Sequence, residues 1–275
     1  MWINFTKMQG LGNDFVVIDT ITQSVKLTTR QLRQMANRHV GIGCDQIILI
    51  DPPTRPEADF YYRIFNANGQ EVEQCGNGAR AAVRFFYDNR LTHKTHLYAD
   101  CLGGQLECTL EPDHTITLKM GEPIFTPEKI PFITEKESLL YPIEIEGKTL
   151  SMSVISMGNP HAIVKVPSVN KVPLKTVGPL FSTHKSFPNG VNVGFMEIID
   201  RSRLLLRTYE RGVGETLCCG TNSCAAVVAG ISQGLLDSPV SVEYPTGTLV
   251  VDWKKGQSVS LRGPAQTVFT GRYLL

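Results

Sequence analysis

A chain of 275 residues, 42% apolar and 19% charged, can bury a core as one large or two modest domains and is not a disordered polymer. Its net charge of +1, with no basic run, argues against a nucleic-acid groove or a polybasic membrane patch. The 7 cysteines are odd in number and irregularly spaced, so neither a disulfide framework nor a zinc knuckle is expected, and no metal is predicted. No apolar run matches a membrane span, and the N-terminus lacks the apolar stretch of a secretory signal. The expected setting is the cytoplasm, where thiols stay reduced.

In chain order, Phe15 to Asp19 predicts a strand. Thr28 or Thr29 can cap a helix with Leu32, Met35 and Ala36 inward, stopping at Gly41. Gln46 to Ile50 predicts a buried strand ended by Pro52 and Pro53; Tyr61 to Phe65 predicts another, closed by Asn66-Ala67-Asn68-Gly69. After Cys75, apolar residues Ala79, Ala82, Val83 and Phe86 recur at helical spacing. Short strands follow at Leu97 to Ala99, Gln105 to Leu110 and Thr115 to Met120. The segment Pro127 to Leu150, rich in Pro and Glu, yields no clear element. Ala225 to Ile231 is apolar nearly all round, as in a helix buried on every side. Strands are expected again at Val240 to Tyr244, Thr248 to Trp253 and Ser258 to Leu261.

The second half echoes the first. Gly69 to Val83 and Gly214 to Val228 each read as an acidic approach, a Cys-Gly pair, small polar residues and an apolar helix, with Cys75 matched to Cys219. Gly12-Asn13 pairs with Gly158-Asn159, Gln46 with Asn192, and Gly104 with Gly247. Each match alone is weak, but the landmarks keep their order and nearly constant spacing, which points to duplication of one fold. The predicted class is α+β: two pseudo-symmetric domains, each a curled, mostly antiparallel sheet or barrel around a central helix. The domains are expected over residues 1–120 and 121–266.

A cysteine at the first turn of a helix meets unpaired N–H groups and the positive end of the dipole, which lower its thiol pKa toward neutrality. The same N–H groups bind anions. Gly76 and Gly220 would let a carboxylate approach the backbone, and Asn77 and Thr221 add side-chain donors. Two such ends facing one substrate suit inversion at a carbon next to a carboxylate: one thiolate takes the proton, and the other thiol returns one to the opposite face. Donors at the carboxylate stabilise the charge that proton removal creates. A free cysteine is more often a small buried hydrophobe. That plainer role suits Cys44, Cys101, Cys108, Cys218 and Cys224, but not the matched pair Cys75 and Cys219.

Lys7 to Phe15, Asn66 to Gly69, Gln74 to Arg80, Gly158 to His161 and Tyr209 to Thr216 resemble the motifs of diaminopimelate epimerase, in order along the whole chain. The resemblance implies an isomerase without pyridoxal phosphate, metal or other cofactor. It would interconvert L,L- and meso-diaminopimelate on the route to lysine and cell-wall peptide, as a cytoplasmic homodimer. It implies that Cys75 and Cys219 are base and acid. It also implies that Gly76, Asn77, Gly220 and Thr221 hold the reacting carboxylate, and that Asn13, Gln46, Asn66, Asn159, Asn192, Glu210 and Arg211 bind the rest. Arg211 suits the distal carboxylate because its planar fork pairs with both oxygens. His161 and Glu210 would poise the thiols, and a last strand at 267–275 would return to the first domain. On residue type alone, Asn13 and Asn159 could be turn formers, Glu210-Arg211 a surface ion pair, and His161 equally a packed histidine. Two positions depart from the family pattern: Cys218, usually a small residue such as alanine, and Asn222, usually glycine. A proline or hydroxyproline racemase of the same architecture is one alternative; a thiol-redox or binding module without catalysis is another.

Overall fold

The structure, a computed structural model, describes residues 1–275. The chain divides into two compact units: Met1–Lys119 with Arg262–Leu275, and Met120–Leu261.

The first unit opens with β1 (Trp2–Gly10) and β2 (Asn13–Asp19), an antiparallel pair. Helix α1 (Thr29–Ala36) is capped by Thr28, whose hydroxyl accepts from Gln31 N while the Gln31 side chain reaches back to the Thr28 backbone. Leu32, Met35 and Ala36 face inward. The helix ends at Ala36, short of the expected stop at Gly41. The Asn37 carboxamide takes the N–H groups of His39 and Val40 and turns the chain out of the helix. Then follow β3 (Gln46–Asp51), β4 (Phe60–Asn66), β5 (Glu71–Val72), α2 (Gly76–Asp88), β6 (His96–Cys101), β7 (Gly104–Leu110) and β8 (Ile116–Lys119). On β4, Phe60, Tyr62 and Ile64 are buried while Tyr61 and Arg63 are more open, the alternation of a half-buried strand. Ala79, Ala82, Val83 and Phe86 are all buried on α2, which packs within the sheet against β1, β2, β3 and β6 to β8.

The second unit contains β9 (Tyr141–Ile145), β10 (Lys148–Ser156), β11 (Pro160–Lys165), α3 (Leu174–Ser182), β12 (Asn192–Asp200), β13 (Arg203–Glu210), β14 (Gly214–Thr216), α4 (Gly220–Ser232), β15 (Val240–Tyr244) and β16 (Gly247–Asp252). β17 (Ser260–Gly263) leads across the boundary, and β18 (Gln266–Leu274) lies antiparallel along β1 in the first unit. Helix α4 is buried along nearly its whole length against β10 to β13, β15 and β16.

The strand pairing repeats as the residues do. β2 runs parallel to β3 as β11 does to β12. β3–β4–β5 form an antiparallel run matched by β12–β13–β14. β4 pairs parallel with β6, and β13 with β15. Each unit is therefore a mixed, mostly antiparallel sheet curled around one central helix, made twice from one plan. No helix is long and apolar enough to cross a membrane.

Candidate active site

Each repeat places its cysteine as the N-cap of the central helix: Cys75 before α2 and Cys219 before α4, both with extended backbone. The four N–H groups of each first turn thus lie beside a thiol.

In the first unit, Cys75 is half-buried and its Sγ accepts from Gly78 N at 3.5 Å. Asn13 leaves the β1–β2 turn and donates from Nδ2 to Asp45 Oδ2 at 3.1 Å. That fixes its amide so that Oδ1 faces the Cys75 thiol at 3.8 Å and Asn77 Nδ2 at 3.4 Å. Asn77 is held from behind by Arg80, whose Nη2 donates to its Oδ1 at 2.8 Å. Arg80 is fully buried, and its Nε donates to Pro264 O at 3.2 Å. Opposite each other on β3 and β4, Gln46 donates to Asn66 at 2.9 Å. Gln46 Oε1 is buried with no protein partner.

In the second unit, Cys219 is buried, and its Sγ lies 3.5 Å from Thr221 Oγ1. Asn159 Nδ2 donates to that hydroxyl at 3.5 Å, so Asn159 stands to Thr221 as Asn13 stands to Asn77. Asn159 Oδ1 meets His161 Nε2 at 2.9 Å. An amide oxygen only accepts, so this ring nitrogen carries the proton and Nδ1 holds a lone pair. Burial first and the Arg211 charge second pull His161 down to about 3, so it is neutral at physiological pH. His161 lies opposite Asn192 in the parallel β11–β12 register. Asn192 bonds Pro160 O and accepts from Arg211 N at 2.9 Å, and Arg211 Nη1 is anchored on Asn189 O at 2.7 Å. Glu210 accepts from Thr216 Oγ1 at 2.6 Å.

One expectation needs correction. The helix end does not lower the Cys219 thiol pKa; burial and the neighbouring Glu210 carboxylate push it well above its ordinary value. A desolvated thiolate beside a carboxylate costs more than the end of a helix returns. Cys219 is a protonated thiol at neutral pH and suits the proton-donating half of an acid–base pair.

The predicted residues thus fall into two groups. Asn13, Cys75 and Asn77 touch one another at the first helix end, with Gln46 and Asn66 paired on the adjoining strands. Asn159, His161, Cys219 and Thr221 form one chain of contacts, beside Asn192, Arg211 and Glu210. Gly76 and Gly220 open α2 and α4. The five other cysteines are buried. Three participants carried no signal in the sequence. Asp45 looks like a loop acid, Arg80 like a surface helix residue, and Gly194 like any strand glycine. A Cβ on Gly194 would collide with Asn222 Oδ1, so this glycine accommodates the departure at 222. No group of three or more His, Cys, Asp and Glu is gathered as for a metal.

The model of the diaminopimelate epimerase family matches residues 5–126 and 153–268. A diaminopimelate epimerase of Stutzerimonas stutzeri is 47% identical over 100% of both chains, and one of Thioalkalivibrio sulfidiphilus is 50% identical over 98% of this chain and 99% of its own. Among solved structures, a hydroxyproline epimerase of Agrobacterium vitis shares the fold with a TM-score of 0.70 at 15% identity, covering 98% of this chain and 92% of its own. A PhzF-family phenazine biosynthesis protein of Bacillus anthracis does so with a TM-score of 0.69 at 18% identity, covering 100% of both. Those two likenesses concern the fold alone. The matches of family model and relatives along the chain, together with a thiol at each of two equivalent helix ends, place this protein in the diaminopimelate epimerase family.

Proposed function

We propose that this isomerase interconverts L,L- and meso-2,6-diaminopimelate by moving a proton at Cα between Cys75 and Cys219. The observation that carries the reading is the equivalence of the two thiols: each caps the central helix of its repeat, and an asparagine at or just before the start of the matching strand, β2 or β11, bonds the residue two places after the thiol.

In one direction the Cys75 thiolate removes the Cα proton. The electron pair of the broken C–H bond passes into the adjoining carboxylate, and the protonated Cys219 thiol delivers its proton to the opposite face. The reverse direction exchanges the roles. No electron is gained or lost, and atoms balance without a co-reactant. The N–H groups at Gly76, Asn77, Gly220 and Thr221 hold the reacting carboxylate, where the two helix dipoles favour the growing negative charge. Glu210 keeps Cys219 protonated between turnovers, and neutral His161 fixes Asn159. Asn13, Gln46, Asn66, Asn159, Asn192, Glu210 and Arg211 take the remaining amino and carboxylate groups, with the Arg211 guanidinium on the distal carboxylate. A proline-type substrate has no second amino-acid head to use these groups. The product serves lysine and cell-wall peptide synthesis, and the enzyme works in the cytoplasm as a homodimer. Exposed Trp2, Val268, Phe269 and Leu274 on β1 and β18 support self-association.

The test is incubation of the reduced enzyme with L,L-diaminopimelate in D2O, followed by NMR at Cα, with proline as control. Loss of the Cα–H signal with appearance of the meso form is expected. Exchange on proline alone would reject the substrate. Cys75→Ala and Cys219→Ala are expected to abolish turnover, while Cys218→Ala largely keeps it; the reverse for 218 and 219 would reject the assignment of the second thiol.

A further inference from the structure

The backbone carbonyl of Cys219 lies within hydrogen-bond reach of three donor groups. Ser223 N makes the ordinary first helical bond at 3.0 Å. Ser223 Oγ adds a second at 2.9 Å, and Tyr244 OH, reaching across from the end of β15, a third at 3.1 Å. The two hydroxyls lie 2.8 Å apart, and both side chains are buried. The first repeat has no counterpart. Cys75 O accepts Ala79 N at 2.8 Å, but Ala79 stands where Ser223 does and carries no hydroxyl. Cys101 stands where Tyr244 does, each opposite the glycine that opens the next strand, and it carries no hydroxyl; its thiol lies 3.3 Å from Gly104 O.

An N-cap residue is the loosest member of its helix, because only its carbonyl belongs to the helical ladder. The direction of that carbonyl sets ψ, and with the carbonyl held the Cα–Cβ bond carrying the thiol loses freedom. The Cys75 Sγ is tied directly by Gly78 N, and the neighbourhood of Cys219 adds a tie through the backbone.

We propose that Ser223 and Tyr244 form a clamp that positions the Cys219 thiol. They are positioning residues for the second acid–base group, acting through its carbonyl and touching no reacting atom. The proposal rests on the reading that Cys219 is an acid–base group. The two hydroxyls have two protons to share among three short contacts, so either alone can still serve the carbonyl. The clamp is therefore redundant, and its loss is synergistic. Ser223→Ala and Tyr244→Phe are each expected to lower kcat by less than about three-fold, and the double variant by about ten-fold or more, with KM within about two-fold.

The experiment pairs steady-state kinetics with alkylation by iodoacetamide, the modified cysteines being mapped by mass spectrometry. In the double variant the alkylation rate of Cys219 should change while that of Cys75 stays at the wild-type value. An unchanged kcat, or equal changes at both thiols as from general loosening, would overturn the proposal. If the double variant does not fold, Ser223→Cys with Tyr244→Phe replaces it, keeping the volume at 223 while removing both hydroxyls, and the same two readouts decide: a shift at Cys219 alone supports the clamp, and no shift overturns it. Alkylation reads the thiol independently of turnover. Retained turnover in Cys219→Ala would instead overturn the functional reading on which the proposal stands.

Discussion

Asn222 is fully buried, with neither side-chain polar atom bonded to protein, in the first turn of α4. Its carboxamide fills the space above Gly194 on β12. The two positions form one packing unit, so a methyl group at 194 overfills it. Gly194→Ala is expected to destabilise the protein by about 1–3 kcal/mol, and Asn222→Ala to recover most of that loss. Equilibrium urea denaturation of both single variants and the double variant measures this; additive effects would refute the coupling. Such pairs are not legible in a sequence, because residues 194 and 222 meet only after the helix has docked on its strands. The two cysteines were legible because duplication shows them twice. The protonation of Cys219 was not, since burial and Glu210 outweigh the local helix end that sequence reveals.

Among the elements, those with strong local signals stand close to where the pattern puts them. Helix α1 had a capping threonine and a glutamine three residues on, and both act as the chemistry requires. Thr28→Ala should cost about 1 kcal/mol by urea denaturation, with the fold intact. A change below about 0.3 kcal/mol would mean that packing of Leu32 and Met35 alone holds the helix. The unreadable stretch Pro127 to Leu150 carries a short turn at Pro127–Lys129, all of β9 and the start of β10. Its apolar residues are spread thinly, and Phe132, Tyr141, Ile143 and Ile145 reach a core whose members extend along the chain as far as Phe195. Helix α3 was missed because Pro179 interrupts its pattern. It closes on the sheet through Gly178, where any side chain would collide with the Tyr209 ring.

For the whole molecule, buried titratable groups set the pH window. Burial pushes the Cys44 and Cys108 thiols from 9.0 to about 12. Between these values the unfolded chain has released protons that the folded chain retains, so stability falls as pH rises, by about 1.4 kcal/mol per pH unit per group. His161 works at the other end. Its pKa drops from 6.5 to about 3, so between these values the unfolded chain binds a proton that the folded chain refuses, and stability falls as pH falls. The urea midpoint under reducing conditions should be flat from about pH 6.5 to 9 and decline on both sides. Cys108→Ala should shallow the alkaline limb and His161→Gln the acidic one; limbs unchanged in these variants would assign them to other groups.

The pairing of β18 with β1 has a consequence for synthesis on the ribosome. The unit of Met120–Leu261 is continuous and available to fold once residue 261 has emerged, whereas the unit begun first lacks the strand that pairs with β1 until β18 has emerged. Until then β1 is an open edge of nine residues, able to pair with another nascent copy. The half made first is thus the half that matures last. Truncation near the C-terminus, which removes no proposed substrate-binding residue, would leave newly made chains prone to aggregation.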